Sequence, residues 1–272
     1  MTAFVRIGGA AHHVTVDGTG PVCVLSAGLG LSWFDWDPVV PYLAPHRTVV
    51  RFDRPGHGLS APAAVPPTAA GEAGRIAAVL DALGHREPVT VVGHSIAGFH
   101  AEAFARLHPG RTAALVLVDS SVEEHPRPPR TAAGTTGARA LAAVLCAAGI
   151  PAALGPAFRG LAVRRDPAPA GLVRRVYGTS RVLRGTLLEN ARYGAVAAEL
   201  LALRERHPLP PDLPVTVLAA PDGSARWERR QRALARRLGA RYETAAASGH
   251  LVMLDRPDAV ARAVLEAGAG PA

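Results

Sequence analysis

Short apolar runs alternate with longer amphipathic runs along most of the chain. Two alternating segments, residues 4–7 and 13–16, flank Gly8 and Gly9 and predict a hairpin. Further runs predict strands at Pro21–Ala27, Arg47–Phe52, Pro88–Val92, Ala113–Val118, Pro214–Ala219 and Arg241–Ala245. Several of these strands are apolar on both faces, which is typical of parallel strands with helices on each side of the sheet.

Helical periodicity occupies the intervals between most of these strands. The predicted helices are Trp33–Leu43, Thr68–Leu83, Ile96–Leu107, Ala225–Leu238 and Pro257–Leu265. Regular alternation of strand and helix favours right-handed crossovers. The pattern therefore predicts the α/β class, with a mostly parallel, eight-stranded, doubly wound sheet.

One long segment breaks the alternation. Residues 121–213 have helical pieces, no convincing strand, and proline-rich borders (HPRPPR and HPLPPDLP). We therefore expect a core formed by residues 1–120 and 214–272, and a helical cap formed by residues 121–213.

The stretch Ala140–Phe158 within this segment carries no charge and is long enough to be considered as a membrane span. Because it is alanine-rich and interrupted by glycine and proline, two short helices lining an apolar pocket fit it better. A lid that touches lipid is the alternative. We expect no stable membrane insertion.

Composition narrows the possible partners. The chain has 272 residues and a net charge of +8, and all 30 basic residues are arginine. No nucleic-acid-reading motif accompanies this charge, so we expect no nucleic-acid partner. The two cysteines lie in apolar runs, and the N-terminus has no apolar signal segment, so a reducing, cytoplasmic location is expected.

The strongest chemical signal is Gly93-His94-Ser95-Ile96-Ala97-Gly98, at the junction of an apolar strand and a helix. A serine in such a turn adopts a strained backbone conformation, and its neighbours must be small because the chain passes close to itself. Ala97 stands where the strict G-x-S-x-G pattern has glycine. The turn predicts that Ser95 is a nucleophile exposed at the carboxyl edge of the sheet.

Three segments resemble the α/β-hydrolase family and occur in the family's order along the chain. The first, Arg51-Phe52-Asp53-Arg54-Pro55-Gly56-His57-Gly58-Leu59-Ser60, is similar to the family's glycine turn after the fourth strand. The second is the Ser95 turn. The third, residues 246–257, is similar to the family's histidine loop. The resemblance implies that His250 is the general base, whereas Asp53 and Ser60 are structural.

The resemblance also implies a carboxylate that orients His250. Asp222, just after the seventh strand, preserves the family order of serine, acid and histidine, and is preferred. Asp119, at the end of the sixth strand, is the alternative. The implied oxyanion donors are the backbone N–H groups of Ile96 and, in the loop after the third strand, Leu29.

These residues predict a hydrolase that cleaves a carboxylic ester, or a related acyl bond, of a small molecule through an acyl-enzyme. The alternatives are another reaction class on the same fold (lyase, cyclase or cofactor-free haloperoxidase-like) or a ligand-binding protein without catalysis. We expect no cofactor and no metal site. His12 and His13 are expected to be exposed.

The cap is rich in arginine, with ten arginines against four acidic residues between Phe158 and His207. An ordinary solvated surface is the preferred interpretation. The alternative is that the cap recruits an anionic substrate or an acidic carrier.

Overall fold

The computed structural model describes residues 1–126, 132–163, 166–221 and 225–268. Within these ranges the strands, in chain order, are β1 (Thr2–Ile7), β2 (Ala10–Asp17), β3 (Val22–Ser26), β4 (Thr48–Phe52), β5 (Val89–His94), β6 (Thr112–Val118), β7 (Val215–Ala219) and β8 (Arg241–Thr244).

These strands form one sheet in the order β1-β2-β4-β3-β5-β6-β7-β8. β2 pairs antiparallel with both β1 and β4, and every other neighbouring pair is parallel. The expected mostly parallel, eight-stranded sheet is confirmed. β5 and β6 lie side by side in its centre, so residues that follow them meet at one edge of the sheet.

The helices outside the long insertion are α1 (Val40–Leu43), α2 (Ala69–Ala82), α3 (Ala97–Leu107), α8 (Ala225–Leu238), α9 (Val252–Asp255) and α10 (Pro257–Ala267). One apolar cluster packs α2, α3 and α8 against one face of the sheet. A second cluster packs α10, Trp36 and Leu43 against the other face. The sheet is therefore buried on both sides, as its apolar strands require.

In the described residues between β6 and β7 lie four helices: α4 (Ala132–Ala147), α5 (Ile150–Ala162), α6 (Ala170–Tyr177) and α7 (Ser180–Arg206). A small apolar cluster joins them to the core, where Val173, Val176 and Tyr177 pack against Trp33 and Phe34. The expected helical insertion is present, and it is anchored to the segment that follows β3.

A buried polar cluster strengthens this anchor. Asp35, in the core, accepts hydrogen bonds from Arg159 and from the Tyr177 hydroxyl, the latter at 2.9 Å. Arg159 also lies over the rings of Phe34 and Tyr177. Removal from water raises the pKa of Asp35, although the Arg159 guanidinium opposes that shift. The insertion is thus joined to the core by both apolar and charged contacts.

The uncharged stretch Ala140–Phe158 is divided between α4 and α5, as expected for two short helices. In the ranges given above, no single helix has the length and apolar character to cross a membrane. By length and composition alone, the bent pair Gly134–Ala147 and Ile150–Ala157, with an angle of 77°, passes that test.

Two local expectations are wrong. The segment Trp33–Leu43 begins as a 3₁₀ helix, Trp33–Val39, that contains Pro38, and only its last turn is α-helical. His12 and His13 are buried, because β2 lies inside the sheet rather than at its edge. The Nδ1 of His13 lies 2.9 Å from Oδ2 of Asp53, so the pair forms a structural contact in the core.

Candidate active site

Ser95 lies in the turn between β5 and α3. Its φ of +53° is in the left-handed region, which residues other than glycine rarely adopt. In the described part of the chain, two other non-glycine residues share a positive φ: Asp119 (+39°) and Ala247 (+57°). All three lie at or beside the predicted site, where backbone strain of this kind tends to be retained.

Close packing explains the small residues around Ser95. A Cβ at Gly93 would overlap the carbonyl oxygen of Ala97, and a Cβ at Gly98 would overlap the Ser120 side chain. Ala97 itself is fully buried in the helix that follows. The turn therefore accommodates alanine at position 97 but requires glycine at both 93 and 98.

His250 follows β8 in a loop that two hydrogen bonds hold in place. The Nε2–H of His94 donates to the carbonyl oxygen of His250 at 2.8 Å, and the N–H of Gly249 donates to Asp255 at 2.8 Å. The Nε2 of His250 lies 3.0 Å from the Ser95 hydroxyl oxygen. This distance allows the hydroxyl to donate to the imidazole, which is the arrangement that proton abstraction needs.

The carboxylate beside His250 is that of Asp119. Its Oδ2 lies 2.6 Å from Nδ1 of His250, and its side chain is 2% exposed, whereas that of His250 is 50% exposed. Asp222, which the sequence favoured, lies outside the described residues. Because His250 has a single Nδ1 and Asp119 occupies it, the geometry favours the alternative acid.

The second carboxylate oxygen of Asp119 is also bonded. Oδ1 accepts from the N–H of Ala220 at 3.0 Å and from the indole Nε1–H of Trp227 at 2.8 Å. The Trp227 ring further lies edge-on to the His250 ring, with a centroid separation of 6.4 Å. Sequence reasoning missed Trp227, although an aromatic residue in the otherwise arginine-rich α8 was a usable signal.

The loop after β3 passes directly beside Ser95. A Cβ at Gly28 would lie 3.2 Å from Cβ of Ser95, so the backbone is in van der Waals range of the nucleophile. The carbonyl of Gly28 accepts from Arg54 at 2.9 Å. In a planar trans peptide the next N–H points opposite to that carbonyl, which directs the N–H of Leu29 away from Arg54.

Arg54 links this loop to the insertion. Its guanidinium donates to the carbonyl oxygens of Ala27 and Gly28, and to both carboxylate oxygens of Glu189 in α7. Burial would raise the pKa of Glu189, but Arg54 and His57 outweigh it and hold that pKa at about 2. Glu189 is therefore ionised, and the pair ties the loop beside the nucleophile to α7.

His94 contacts the backbone of His250 and takes no part in the side-chain hydrogen bonds that join Ser95, His250 and Asp119. Burial, followed by the proximity of His250, lowers the pKa of His94 to about 3. The ring is thus neutral near pH 7 and can hold the His250 loop by its Nε2–H without adding a charge beside the general base.

No group of metal-ligating side chains occurs in the described ranges. The structure also shows what several arginines of the insertion contact. Arg159 pairs with Asp35 and Asp166, Arg192 with Glu199, and Arg204 with Glu102. Arg164 and Arg165 lie outside the described residues. These contacts favour a structural role for the paired arginines.

A model of the alpha/beta hydrolase family matches residues 23–263, which is most of the chain. The chain belongs to this family. Its eight-stranded, mostly parallel sheet with a helical insertion is the fold of that family.

The similarities to individual proteins include the following three. The chain is 40% identical over 97 residues to a candidate carbamate hydrolase, RutD, of Caulobacter sp. (strain K31), covering 35% of this chain and 36% of the relative. It is 36% identical over 106 residues to a pimeloyl-[acyl-carrier protein] methyl ester esterase of Methylococcus capsulatus (strain ATCC 33009 / NCIMB 11132 / Bath), covering 39% of each. The matches thus span little more than a third of each relative's length.

The third similarity is to the crystal structure of an enol-lactonase from Burkholderia xenovorans LB400. The TM-score is 0.71 with 23% sequence identity, covering 97% of this chain and 99% of that chain. At this identity the likeness shows the fold alone.

Proposed function

We propose that the protein is a serine hydrolase that cleaves a carboxylic ester, or a related acyl bond, of a small molecule. The observation that carries this proposal is the continuous hydrogen-bond chain from Ser95 through His250 to Asp119, with separations of 3.0 and 2.6 Å. A nucleophile, a base and an orienting acid in contact are the arrangement that nucleophilic acyl transfer requires.

In this mechanism, His250 takes the Ser95 proton as the hydroxyl oxygen attacks the acyl carbonyl. Asp119 keeps the proton on Nδ1, so that Nε2 is free to accept, and stabilises the imidazolium that forms. His250 then protonates the departing alcohol. The same imidazole activates a water molecule, which hydrolyses the acyl-enzyme and releases the acid.

The developing oxyanion needs backbone donors near Ser95. We assign this role to the N–H groups of Leu29 and Ile96. The support for Leu29 is the contact of its loop with Ser95 and the hold of Arg54 on the preceding carbonyl. Ile96 directly follows the nucleophile in the turn.

The helical insertion fits the role of a cap over this site. Glu189 in α7 contacts Arg54, and Thr186 lies beside Gly30 of the loop that follows β3. Side chains of the insertion therefore contact the loop that follows β3 and the Arg54 that holds this loop. The names of the esterase and lactonase relatives are consistent with an ester-type bond as the target.

The test is covalent labelling with a fluorophosphonate, followed by hydrolysis of nitrophenyl esters of graded acyl length. We expect the wild-type protein to be labelled, and Ser95→Ala to lose both labelling and turnover. Loss of the nucleophile of such a triad costs a factor on the order of 10⁶ in kcat. The matched control is Ser180→Ala, because Ser180 is an exposed serine at the start of α7.

Labelling of the Ser95→Ala protein would place the nucleophile elsewhere. A folded wild-type protein that is neither labelled nor active on any ester would reject the proposal in favour of a ligand-binding role.

A further inference from the structure

A groove with a volume of about 1090 Å³ lies between α8 and the insertion. Its wall on the α8 side is formed mainly by Arg226, Arg229, Arg230 and Arg236. α4 contributes glycine and alanine on the opposite side, and Tyr193 of α7 contributes an aromatic ring. The groove is thus a concave surface with one strongly basic wall.

The basic wall is a property of the whole helix. α8 contains six arginines and one glutamate in 14 residues. The arginines of the groove recur at helical spacing, and with a rise of about 1.5 Å per residue they extend over roughly 15 Å. A single small anion would contact only part of this row, so the row suits a ligand that carries several negative groups or an extended anionic segment.

Among the residues that the structure describes, most of these arginines have no acidic partner. Arg230 donates to the carbonyl oxygen of Val122 and lies 4.0 Å from Glu123. Within the described ranges, Arg226, Arg229 and Arg236 take part in no ion pair or side-chain hydrogen bond. Glu124 also lines the groove, so four arginines face two carboxylates. The described lining of the groove therefore carries a net positive charge that an anionic ligand can neutralise.

The groove adjoins the catalytic residues on the side of His250. Trp227, the neighbour of Arg226, donates to Asp119 and packs against His250. The N–H of Ser121 donates a hydrogen bond to the carbonyl oxygen of Ser95. The side chain of Ser121 forms a hydrogen bond with Tyr193, which lines the groove. In the proposed mechanism His250 protonates the leaving group, so a groove beside the residues that contact His250 is suited to the leaving-group part of a substrate.

From these observations, we propose that the groove binds an anionic leaving group of the acyl substrate, with Arg226, Arg229 and Arg236 contacting its phosphate or carboxylate groups. This inference rests on the proposed function. Guanidinium groups bind both kinds of anion through paired N–H donors, so phosphate and carboxylate share one recognition chemistry. The substrate class is then an ester or thioester whose alcohol or thiol part is negatively charged.

The test uses three thioesters with the same acyl group. Butyryl-coenzyme A carries phosphates, S-butyrylglutathione carries carboxylates, and S-butyryl-N-acetylcysteamine is uncharged on its thiol part. Release of the thiol gives kcat/KM for each substrate, and the readout is the ratio of the anionic to the neutral value. Comparison of the two anionic thioesters distinguishes the phosphate source from the carboxylate source.

The variant is Arg226→Gln/Arg229→Gln/Arg236→Gln. We expect the ratio to fall by about 10- to 100-fold for the preferred anionic thioester, since charge-assisted contacts are lost. High salt should lower the wild-type ratio in the same direction. The matched control removes three exposed arginines that lie outside the groove: Arg174→Gln/Arg175→Gln/Arg237→Gln. It should leave the ratio within about twofold.

An unchanged ratio in the groove variant, or an equal fall in the control, would overturn the inference. A binding measurement separates this failure from failure of the proposed function. Coenzyme A, glutathione and N-acetylcysteamine are titrated calorimetrically into the Ser95→Ala protein, with and without the three groove substitutions. Binding of an anionic thiol that the groove substitutions abolish supports the groove even without turnover, whereas absence of binding overturns it.

Discussion

Replacing Asp119 by asparagine tests the assignment of the acid most directly. The two donors at Oδ1, the N–H of Ala220 and the indole N–H of Trp227, require an oxygen at that position. The asparagine amide must therefore place its oxygen there and its NH₂ group against His250. An NH₂ group donates to Nδ1, so the ring proton moves to Nε2, which can then no longer accept from Ser95.

This reversal of the tautomer sets the size of the effect. In serine proteases the corresponding change lowers kcat by about 10⁴. At about 1.4 kcal/mol per factor of ten, this corresponds to roughly 5 kcal/mol of lost transition-state stabilisation. The side chain at position 119 is 2% exposed and is held by three contacts. The amide therefore cannot rotate to restore an acceptor for Nδ1 of His250.

The assay is kcat for a nitrophenyl ester at saturating concentration, with circular dichroism as the check on folding. Asp222→Asn is the matched control and should keep kcat within about threefold of the wild type. If Asp222→Asn loses activity and a folded Asp119→Asn protein does not, the acid follows β7 and the reasoning from the Asp119 contacts is wrong.

Two further predictions concern stability. Glu189→Gln leaves Arg54 as an unpaired buried charge and should lower the free energy of unfolding by about 3–5 kcal/mol, as measured by urea titration. The control is Glu205→Gln, at an exposed position, which should change the free energy of unfolding by under about 0.5 kcal/mol. In the folded protein, burial lowers the pKa of His94 to about 3, against 6.5 in the unfolded chain. Between these two pH values the unfolded state binds one more proton than the folded state. The free energy of unfolding therefore falls as the pH decreases through that window. His94→Gln should reduce this slope by up to about 1.4 kcal/mol per pH unit; an unchanged slope would contradict the role of burial.

Patterning was sufficient to predict the sheet, and local turn chemistry indicated the candidate nucleophile. Apolar strands separated by amphipathic helices specify a parallel sheet, because only helices on both faces bury such strands. The residues around Ser95 were recognisable because a sharp strand-to-helix turn admits only small neighbours at defined positions. His250 was the candidate base for a similar reason, since its loop follows the last strand.

The choice of acid could not be read from the sequence. In the sequence, Asp119 follows β6 and Asp222 comes shortly after β7, and these two strands are neighbours in the sheet, so the order of residues alone left both as candidates. The choice depends on which carboxylate receives the right set of donors. Asp119 receives them from Ala220 and from Trp227 of α8, and that convergence exists only in the folded chain.

The same limit applies to the charged residues. Sequence reasoning treated the arginines of the insertion as one group. In the structure, Arg159 and Arg204 each pair with a carboxylate that is distant in sequence, and Arg192 pairs with one two helical turns away. Four arginines of α8 instead line a groove: Arg226, Arg229, Arg230 and Arg236. Composition fixes how many charges a chain carries, whereas tertiary packing decides which of them are neutralised within the protein and which remain available to a ligand.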